Sequence, residues 1–186
     1  MNHNGTKVIE TENLILRKFE MSDAEAVYKN WASDSEVTKF LTWGPMKSVD
    51  VSKVILKSWV DEYEKENFYQ WAIVLKSNGK EPIGTISTVR QDEEIGMVHI
   101  GYCIGRKWWN KGVTTEALNA VIKYFINEVK VNRVESRHDP LNPGSGKVMI
   151  KCKMKYEGTM RRADINNQGI CDCAMYGLIA EDYNEE

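Results

Sequence analysis

The sequence predicts a mixed α/β fold, in which a largely antiparallel sheet of seven strands is flanked by about four helices. Three observations predict it. Strand-like and amphipathic helical segments alternate in the order βααβββαβαββ. One long helix joins the strand Met97–Ile104 to the strand 132–138, and this connection is long enough for a parallel crossover. No repeat or linker divides the 186 residues, so we expect a single domain over 1–186 with its core at 12–180.

The first half of the chain begins with a strand and two helices. Residues 12–19 are rich in Leu and Ile, and the pair Ser22 and Glu25 has the spacing of a capping box before the first helix. Trp43-Gly44-Pro45 then breaks the chain, and Ser48 is a candidate cap for the second helix. We expect that helix to bury one apolar stripe, made of Val51, Val54, Ile55, Trp59 and Tyr63.

A hairpin signal and a central strand follow. Asn78-Gly79 predicts a turn between the strands 69–75 and 83–89. The polar residues 91–94 then turn the chain into the strand Met97–Ile104.

The segment 97–127 is the centre of the predicted fold, because it combines a strand, a cationic loop and an amphipathic helix. Apolar residues recur at helical spacing from Val113 to Val129. The loop 106–112 carries three cations and a single small residue, Gly112. Because the N-terminus of a helix presents unpaired amides and a positive dipole end, this loop is a candidate anion site.

The second half of the chain continues the alternation. Residues 132–138 form a strand, and 141–154 a short helix interrupted by glycines. The strands 156–162 and 171–180 then pair as a hairpin around Asn167-Gln168-Gly169.

Composition excludes several classes of function. A net charge of −2 and a pI near 6.0 argue against nucleic acid as the main partner. No apolar run reaches 18 residues, which predicts no membrane-spanning helix, and the first residues lack a signal-peptide core, so we expect a cytoplasmic protein. The four cysteines do not follow common zinc spacings, so we expect reduced thiols and no metal.

Several motifs occur in an order that resembles one family. Gly101-Tyr102 ends a strand, Trp108-Trp109-Asn110-Lys111-Gly112 and Thr115-Glu116-Ala117-Leu118 follow, and Asn142 precedes Ser145 by three residues. This order resembles the GNAT acetyltransferases, in particular the branch of the ribosomal-protein N-terminal acetyltransferases (RimJ/RimL-like). The resemblance extends over 12–180. It implies the GNAT acyl-CoA N-acyltransferase fold with a splayed parallel strand pair, acetyl-CoA as co-substrate, and direct transfer of the acetyl group to a primary amine.

The resemblance also implies which residues bind acetyl-CoA. Amides of the loop would hold the pyrophosphate, with Gly112 the position least tolerant of a side chain. Backbone of the preceding strand would hold the pantetheine. Trp109, Asn110 and Thr114 depart from the usual family loop, and Asn110 replaces a glycine at a position where asparagine tolerates unusual backbone angles. The implied set is Tyr102, Cys103, Ile104, Lys107, Trp109, Asn110, Lys111, Gly112, Val113, Thr114, Asn142 and Ser145.

The catalytic candidates are fewer. His99 occupies a strand position where many relatives carry a glutamate, and its usual pKa suits a general base, although a packed or surface histidine is the alternative. Met149 stands where a tyrosine often acts as the acid, so Tyr176 or Ser145 is the candidate acid, with water or the thiol itself as the alternative. Cys103 invites a covalent mechanism, but the family mostly uses direct transfer.

The acceptor stays open between a peptide N-terminus and a small amine such as a polyamine or an aminoglycoside-like molecule. Acidic residues at 61–66 and 92–94 would suit a cationic acceptor, and Trp43-Gly44-Pro45 lies in the region that lines the acceptor cleft in relatives. We expect no nucleic acid or membrane partner, and either a monomer or a homodimer. The alternative is a non-catalytic acyl-CoA-binding module, favoured if His99 is buried and no other base lines the cleft.

Overall fold

The computed structural model describes residues 1–183. All of its strands belong to one sheet of the order β1-β2-β3-β4-β5-β6-β8-β7. The pairing is antiparallel throughout, apart from the parallel pair β5 and β6. The strands are β1 (Ile9–Glu10), β2 (Leu14–Arg17), β3 (Gln70–Leu75), β4 (Pro82–Asp92), β5 (Met97–Ile104), β6 (Arg133–His138), β7 (Lys155–Asn166) and β8 (Gly169–Ile179).

Five α-helical segments accompany the sheet, one more than predicted, because a four-residue helix precedes the loop that contains Trp43. Two of the five continue into a single π-type turn, at Tyr28–Ala32 and at Phe125–Val129. The helices are α1 (Ala24–Val27), α2 (Ser35–Thr38), α3 (Val49–Glu62), α4 (Val113–Tyr124) and α5 (Pro143–Lys151). None of the helices within residues 1–183 is long and apolar enough to cross a membrane.

The mixed α/β prediction and the parallel crossover are confirmed, and three details were wrong. The sheet has eight strands and not seven, because the two-residue strand β1 pairs with β2. The first helical turn is capped at Glu20 and not at Ser22, since the carboxylate of Asp23 accepts a hydrogen bond from the Glu20 amide at 2.8 Å. The strands of the final hairpin continue closer to its turn than predicted, over Lys155–Asn166 and Gly169–Ile179.

The predicted stripe of α3 was also wrong in part. Val51 and Val54 are 41% and 69% exposed, whereas Leu56 is fully buried. The physical reason is that α3 has two apolar faces. Ser52 and Leu56 pack towards the core, and Val51, Ile55 and Trp59, at four-residue spacing, line a cavity.

The sheet separates two apolar clusters, because successive side chains of a strand point to opposite faces. Trp71 and Ile73 of β3 pack with α4, whereas Ala72 packs with α1 and α3. On β5, Cys103 belongs to the α1–α3 cluster and Ile104 to the α4 cluster. His99, two and four residues before Gly101 and Cys103, therefore faces the α1–α3 side.

The parallel pairing of β5 and β6 covers only three residues of each strand. This confirms the resemblance's implication that the two strands separate from each other part-way along β5. Pairing covers Met97 with Arg133, Val98 with Val134 and His99 with Glu135, and it stops there although β5 continues to Ile104. The strands therefore diverge directly after His99, and the last five residues of β5 border an opening.

Glu116 fixes the first turn of α4 to the turn before β2. Its carboxylate accepts hydrogen bonds from the Thr11 hydroxyl at 2.6 Å and from the backbone and side-chain N–H groups of Asn13 at 2.8 and 3.2 Å. Burial opposes ionisation here, but these hydrogen bonds hold the pKa of Glu116 below its usual value.

We expect Glu116→Ala to lower the free energy of unfolding by about 1–2 kcal/mol at pH 7, since charged hydrogen bonds are lost from a partly solvated site. Because the pKa is lowered in the folded state, this stabilisation is present above the usual pKa of glutamate and is lost as the pH falls. Urea unfolding of both proteins at pH 7 and at pH 3.5 measures the effect. An equal difference at both values would contradict it.

Candidate functional site

Two pockets lie side by side at the point where β5 and β6 diverge. The first, here called the loop pocket, has a volume of about 570 Å³ and is bordered by residues 108–115 and by α5. The second, the sheet pocket, has a volume of about 1080 Å³, with β4, β5 and β6 on one side and α3 with residues 40–47 on the other. The pockets share the lining residues Phe40, Leu41, Tyr102, Cys103, Asn142 and Ser145.

The loop pocket is shaped by an unusual backbone before α4. Gly112 has φ +79° and Asn110 has φ +59°, so both residues occupy the left-handed region of backbone conformation. Glycine and asparagine are the residue types that adopt this region most readily. The Trp109 indole donates to the Ile104 carbonyl at 2.9 Å, which ties the loop to the end of β5. A Cβ built on Gly112 meets nothing within 4 Å, so open space adjoins the first amides of a 12-residue helix.

Eleven of the twelve residues predicted to bind acetyl-CoA line the loop pocket, and Lys107 does not. Lys107 is exposed, and its ammonium group lies 5.3 Å from the centre of the Trp108 ring. The cations Lys147 and Lys151 of α5 line the pocket and were missed. The signal was present, because Gly144, Lys147, Val148 and Lys151 follow helical spacing and form one face of α5.

A bulky anionic ligand fits the loop pocket. The pocket offers open space at Gly112, amides at the start of α4, and the three lysines Lys111, Lys147 and Lys151. Asn142 precedes α5, which begins with Pro143, but its side chain makes no capping hydrogen bond. Within residues 1–183 no cluster of His, Cys, Asp and Glu has the geometry to hold a metal ion.

Two hydroxyl groups meet where the pockets join. The Tyr102 hydroxyl donates to the Ser145 carbonyl at 2.9 Å and accepts from the Ser145 hydroxyl at 3.0 Å. Burial raises the pKa of Tyr102, so the phenol stays protonated. Burial also raises the pKa of the Cys103 thiol to about 12, which keeps this sulfur in its poorly nucleophilic form.

His99 lies in the sheet pocket with a carboxylate partner. It is only 5% exposed, and its Nδ1 is 3.0 Å from Oε1 of Glu135 on the neighbouring strand. Because a carboxylate only accepts hydrogen bonds, Nδ1 carries the proton of the neutral ring and Nε2 is the basic nitrogen. Burial lowers the pKa of His99, and Glu135 partly opposes this shift.

Glu135 is itself oriented by a chain of charges that leads to the surface. Its second oxygen accepts from Nε of Arg133 at 3.2 Å, and Arg133 pairs with Glu157 of β7 through both terminal nitrogens. Glu135 was not among the predicted site residues. It lines the sheet pocket beside His99, so the two groups form a hydrogen-bonded pair that can accept a proton there.

Tyr176 is placed differently from the prediction. It is buried and lines neither pocket, and its ring lies 5.6 Å from that of His138 and 5.5 Å from that of Tyr156. Met149, on the inner face of α5, is fully buried in the core. Ser145 is therefore the predicted acid candidate that the structure brings to the junction of the pockets.

The sheet pocket has an apolar wall opposite its polar floor. Trp43, Gly44 and Pro45 line it, in agreement with the position that the resemblance implied. The wall continues along α3 through Val51, Ile55 and Trp59. The acidic runs at 61–66 and 92–94 do not line this pocket, and Asp61 and Glu62 pair with Lys57 and Lys65.

Comparison with known proteins agrees with this geometry. The family model described as an acetyltransferase (GNAT) domain matches residues 13–155. An uncharacterized N-acetyltransferase, p20 of Bacillus licheniformis, is 30% identical over 177 residues, which are 95% of this chain and 98% of that protein. The [ribosomal protein uS5]-alanine N-acetyltransferase of Escherichia coli is 26% identical, over 81% of this chain and 79% of its own.

A solved structure supports the same assignment. The crystal structure of a GNAT-family acetyltransferase from Bacillus anthracis superposes with a TM-score of 0.81 at 27% identity, covering 94% of this chain and 99% of that one. The matched family domain contains β5, which borders both pockets, and the loop and the start of α4, which border the loop pocket. The chain thus belongs to the GNAT acetyltransferase family and is an acetyl-CoA-dependent N-acetyltransferase.

Proposed function

We propose that this enzyme transfers the acetyl group directly to a primary amine held in the sheet pocket, while acetyl-CoA occupies the loop pocket. One observation carries the proposal. The two pockets meet at Tyr102, Cys103 and Ser145, directly beyond the point where β5 and β6 diverge. Reactants bound in separate pockets would meet there, which is what direct transfer requires.

The loop pocket is proposed to bind the co-substrate through the residues named above. Acetyl-CoA supplies the acetyl thioester that the amine attacks. Amides at the start of α4, next to Gly112, would bind the pyrophosphate, and Lys111, Lys147 and Lys151 would balance its charge. The residues Tyr102–Ile104 of β5 would hold the arm that ends in the thioester. Lys107 has no direct role in this proposal.

His99 is proposed as the general base, with Glu135 as the residue that positions it. An amine bound as an ammonium ion must lose a proton before its nitrogen attacks. Glu135 holds Nδ1, so Nε2 would accept that proton directly or through a water molecule. The lowered pKa keeps the imidazole neutral, and therefore able to accept a proton, at neutral pH.

The departing thiolate needs a proton when the C–N bond forms and the C–S bond breaks. The hydroxyl groups of Ser145 and Tyr102 are proposed as its source, since they bond to each other at the junction of the two pockets. Tyr176 is a weaker candidate, because it lines neither pocket. The raised pKa of Cys103 supports direct transfer without a covalent acyl-cysteine.

The acceptor is proposed to be a primary amine, either a peptide N-terminus or a small amine such as a polyamine or an aminoglycoside-like molecule. Similarity to the uS5-alanine acetyltransferase supports a peptide N-terminus. The apolar wall and size of the sheet pocket support a small amine.

The test measures thiol release from acetyl-CoA with a panel of primary amines and of peptides with free N-termini. We expect turnover with at least one acceptor and a matching mass increase of one acetyl group on that acceptor. CoA binding without turnover on any of these amines would instead indicate the non-catalytic binding module. Absence of CoA binding would overturn the assignment of the loop pocket.

A further inference from the structure

The sheet pocket is lined by several large apolar side chains that are exposed to solvent. Four of the large hydrophobic residues that are more than one-third exposed line this one cavity from different elements. Apolar side chains that line one cavity are typical of a small-molecule site. The four are Val51 of α3, Val89 of β4, and Met160 and Ile165 of β7, and they extend the wall formed by Phe40, Trp43 and Trp59.

The carboxylates that line the pocket are each held by partners within the protein. Glu135 is held by His99 and Arg133. Asp164 pairs with Arg137 at 2.9 Å. The three lining carboxylates, Glu135, Asp139 and Asp164, equal in number the lining cations Lys47, Arg90 and Arg137.

Asp139 is also satisfied within the protein, because both of its oxygens accept hydrogen bonds. The Leu141 amide donates to one oxygen and the Asn166 amide group to the other, each at 2.8 Å. A cationic acceptor with several amines therefore finds no surplus of negative charge among the described lining residues, whereas one amine at His99 and Glu135 is accommodated.

Asn167 bridges the two sides of the pocket. From the tip of the β7–β8 hairpin its side-chain amide donates to the Thr38 and Trp43 carbonyls at 2.8 and 2.7 Å, and its backbone N–H donates to the Leu41 carbonyl at 3.1 Å. These bonds fix the hairpin to the loop 41–43 on one side of the pocket. The sheet pocket beside this contact has a volume of about 1080 Å³, which is the scale of a small-molecule site.

We propose that the sheet pocket binds a small monoamine with a compact apolar body, preferably aromatic, whose amine points to His99. This inference rests on the proposed function, in which the amine bound in the sheet pocket is the acetyl acceptor. The apolar body would lie against Trp43 and Val51.

The experiment measures the binding of three probes to the CoA-saturated enzyme by calorimetry. The probes are 2-phenylethylamine, the diamine putrescine and an alanine tripeptide, each of which carries a primary amine. We expect 2-phenylethylamine to bind at least about tenfold more tightly than either of the others, because its ring buries apolar area that they lack. The same three probes are then tested for acetylation.

Matched variants locate the binding site. Trp43→Ala is expected to weaken 2-phenylethylamine binding by about tenfold, and Val51→Ser by about threefold, with CoA affinity unchanged in both. Val54→Ser is the control, because Val54 belongs to the same helix and is more exposed than Val51, but does not line the pocket.

The outcomes separate this inference from the proposed function. Tighter binding of putrescine or of the tripeptide, or an equal effect of Val51→Ser and Val54→Ser, would overturn the inference. Acetylation of putrescine or of the tripeptide without 2-phenylethylamine binding would retain the proposed function and overturn the inference. Binding of 2-phenylethylamine that depends on Trp43, but without its acetylation, would support the monoamine pocket and contradict acetyl transfer there.

Discussion

Gly112→Ala is expected to lower kcat/KM for acetyl-CoA by about 100-fold, because two hydrogen bonds to a charged group, at about 1.5 kcal/mol each, correspond to about that factor. The space next to Gly112 is open, and we propose that the pyrophosphate fills it. A methyl group there would hold the ligand away from the amides at the start of α4. Steady-state kinetics with varied acetyl-CoA, together with CoA binding by calorimetry, measures the loss.

Gly79→Ala is the matched control for this prediction. Gly79 has φ +78° against +79° for Gly112, and a Cβ on either residue meets nothing within 4 Å. The two residues differ in ψ, which is −141° for Gly79 and −12° for Gly112, and the Gly79 conformation is one that essentially only glycine adopts. Gly79→Ala therefore carries at least as much backbone strain as Gly112→Ala, and it controls for strain alone. Gly79 lies in the turn before β4, so its variant should keep normal acetyl-CoA kinetics. Equal activities of the two variants would contradict the assignment of the loop pocket.

His99→Gln is expected to lower kcat by about 100- to 1000-fold while the KM for acetyl-CoA stays near that of the wild type, because a general base contributes about this much to rate. Glutamine retains polar character but cannot accept the proton of an ammonium ion. Circular dichroism of the variant checks the fold around a side chain that is 5% exposed. A variant that folds and retains full kcat would exclude His99 as the base.

The pH dependence gives a second readout of the same residue. The rate of the wild type should fall on the acidic side of a midpoint below 6.5, because burial lowers the pKa of His99 and only the neutral ring accepts a proton. Glu135→Gln should move this midpoint further down, since Glu135 raises that pKa. The midpoint should disappear in His99→Gln, and an unaltered profile in that variant would contradict the proposal.

Local patterns in the sequence were sufficient to predict the elements around the loop pocket. The helical spacing from Val113 onwards, the single glycine at 112 and the asparagine at 110 are each properties of a few consecutive residues. Helix periodicity and left-handed backbone preferences act over the same short range. The structure therefore agrees with the predicted loop, apart from the side chain of Lys107 and the additional lysines of α5.

The partner of His99 could not be predicted in this way. Glu135 faces it through the parallel register of β5 and β6, and the two residues are 36 positions apart in the chain. A shift of that register by one residue would direct Glu135 to the opposite face of the sheet. The sequence also did not predict that α3 faces both the core and a cavity. Apolar side chains line both, so their spacing alone does not tell the two faces apart.

The early end of the β5–β6 pairing has a consequence for stability as well as for chemistry. Beyond His99, β5 keeps β4 on one side, and no further residue of β6 is paired with it within residues 1–183. The Ile100 carbonyl accepts from the Ser136 hydroxyl and the Ile104 carbonyl from the Trp109 indole. We propose that the arm of the co-substrate binds along the residues between them, in place of the missing strand. Occupancy and folding are then thermodynamically linked, so that CoA at 100 times its Kd would add about 2.7 kcal/mol to the free energy of unfolding. In that proposal the co-substrate completes the edge of the sheet, and amide exchange along Tyr102–Ile104 is expected to slow when CoA is added.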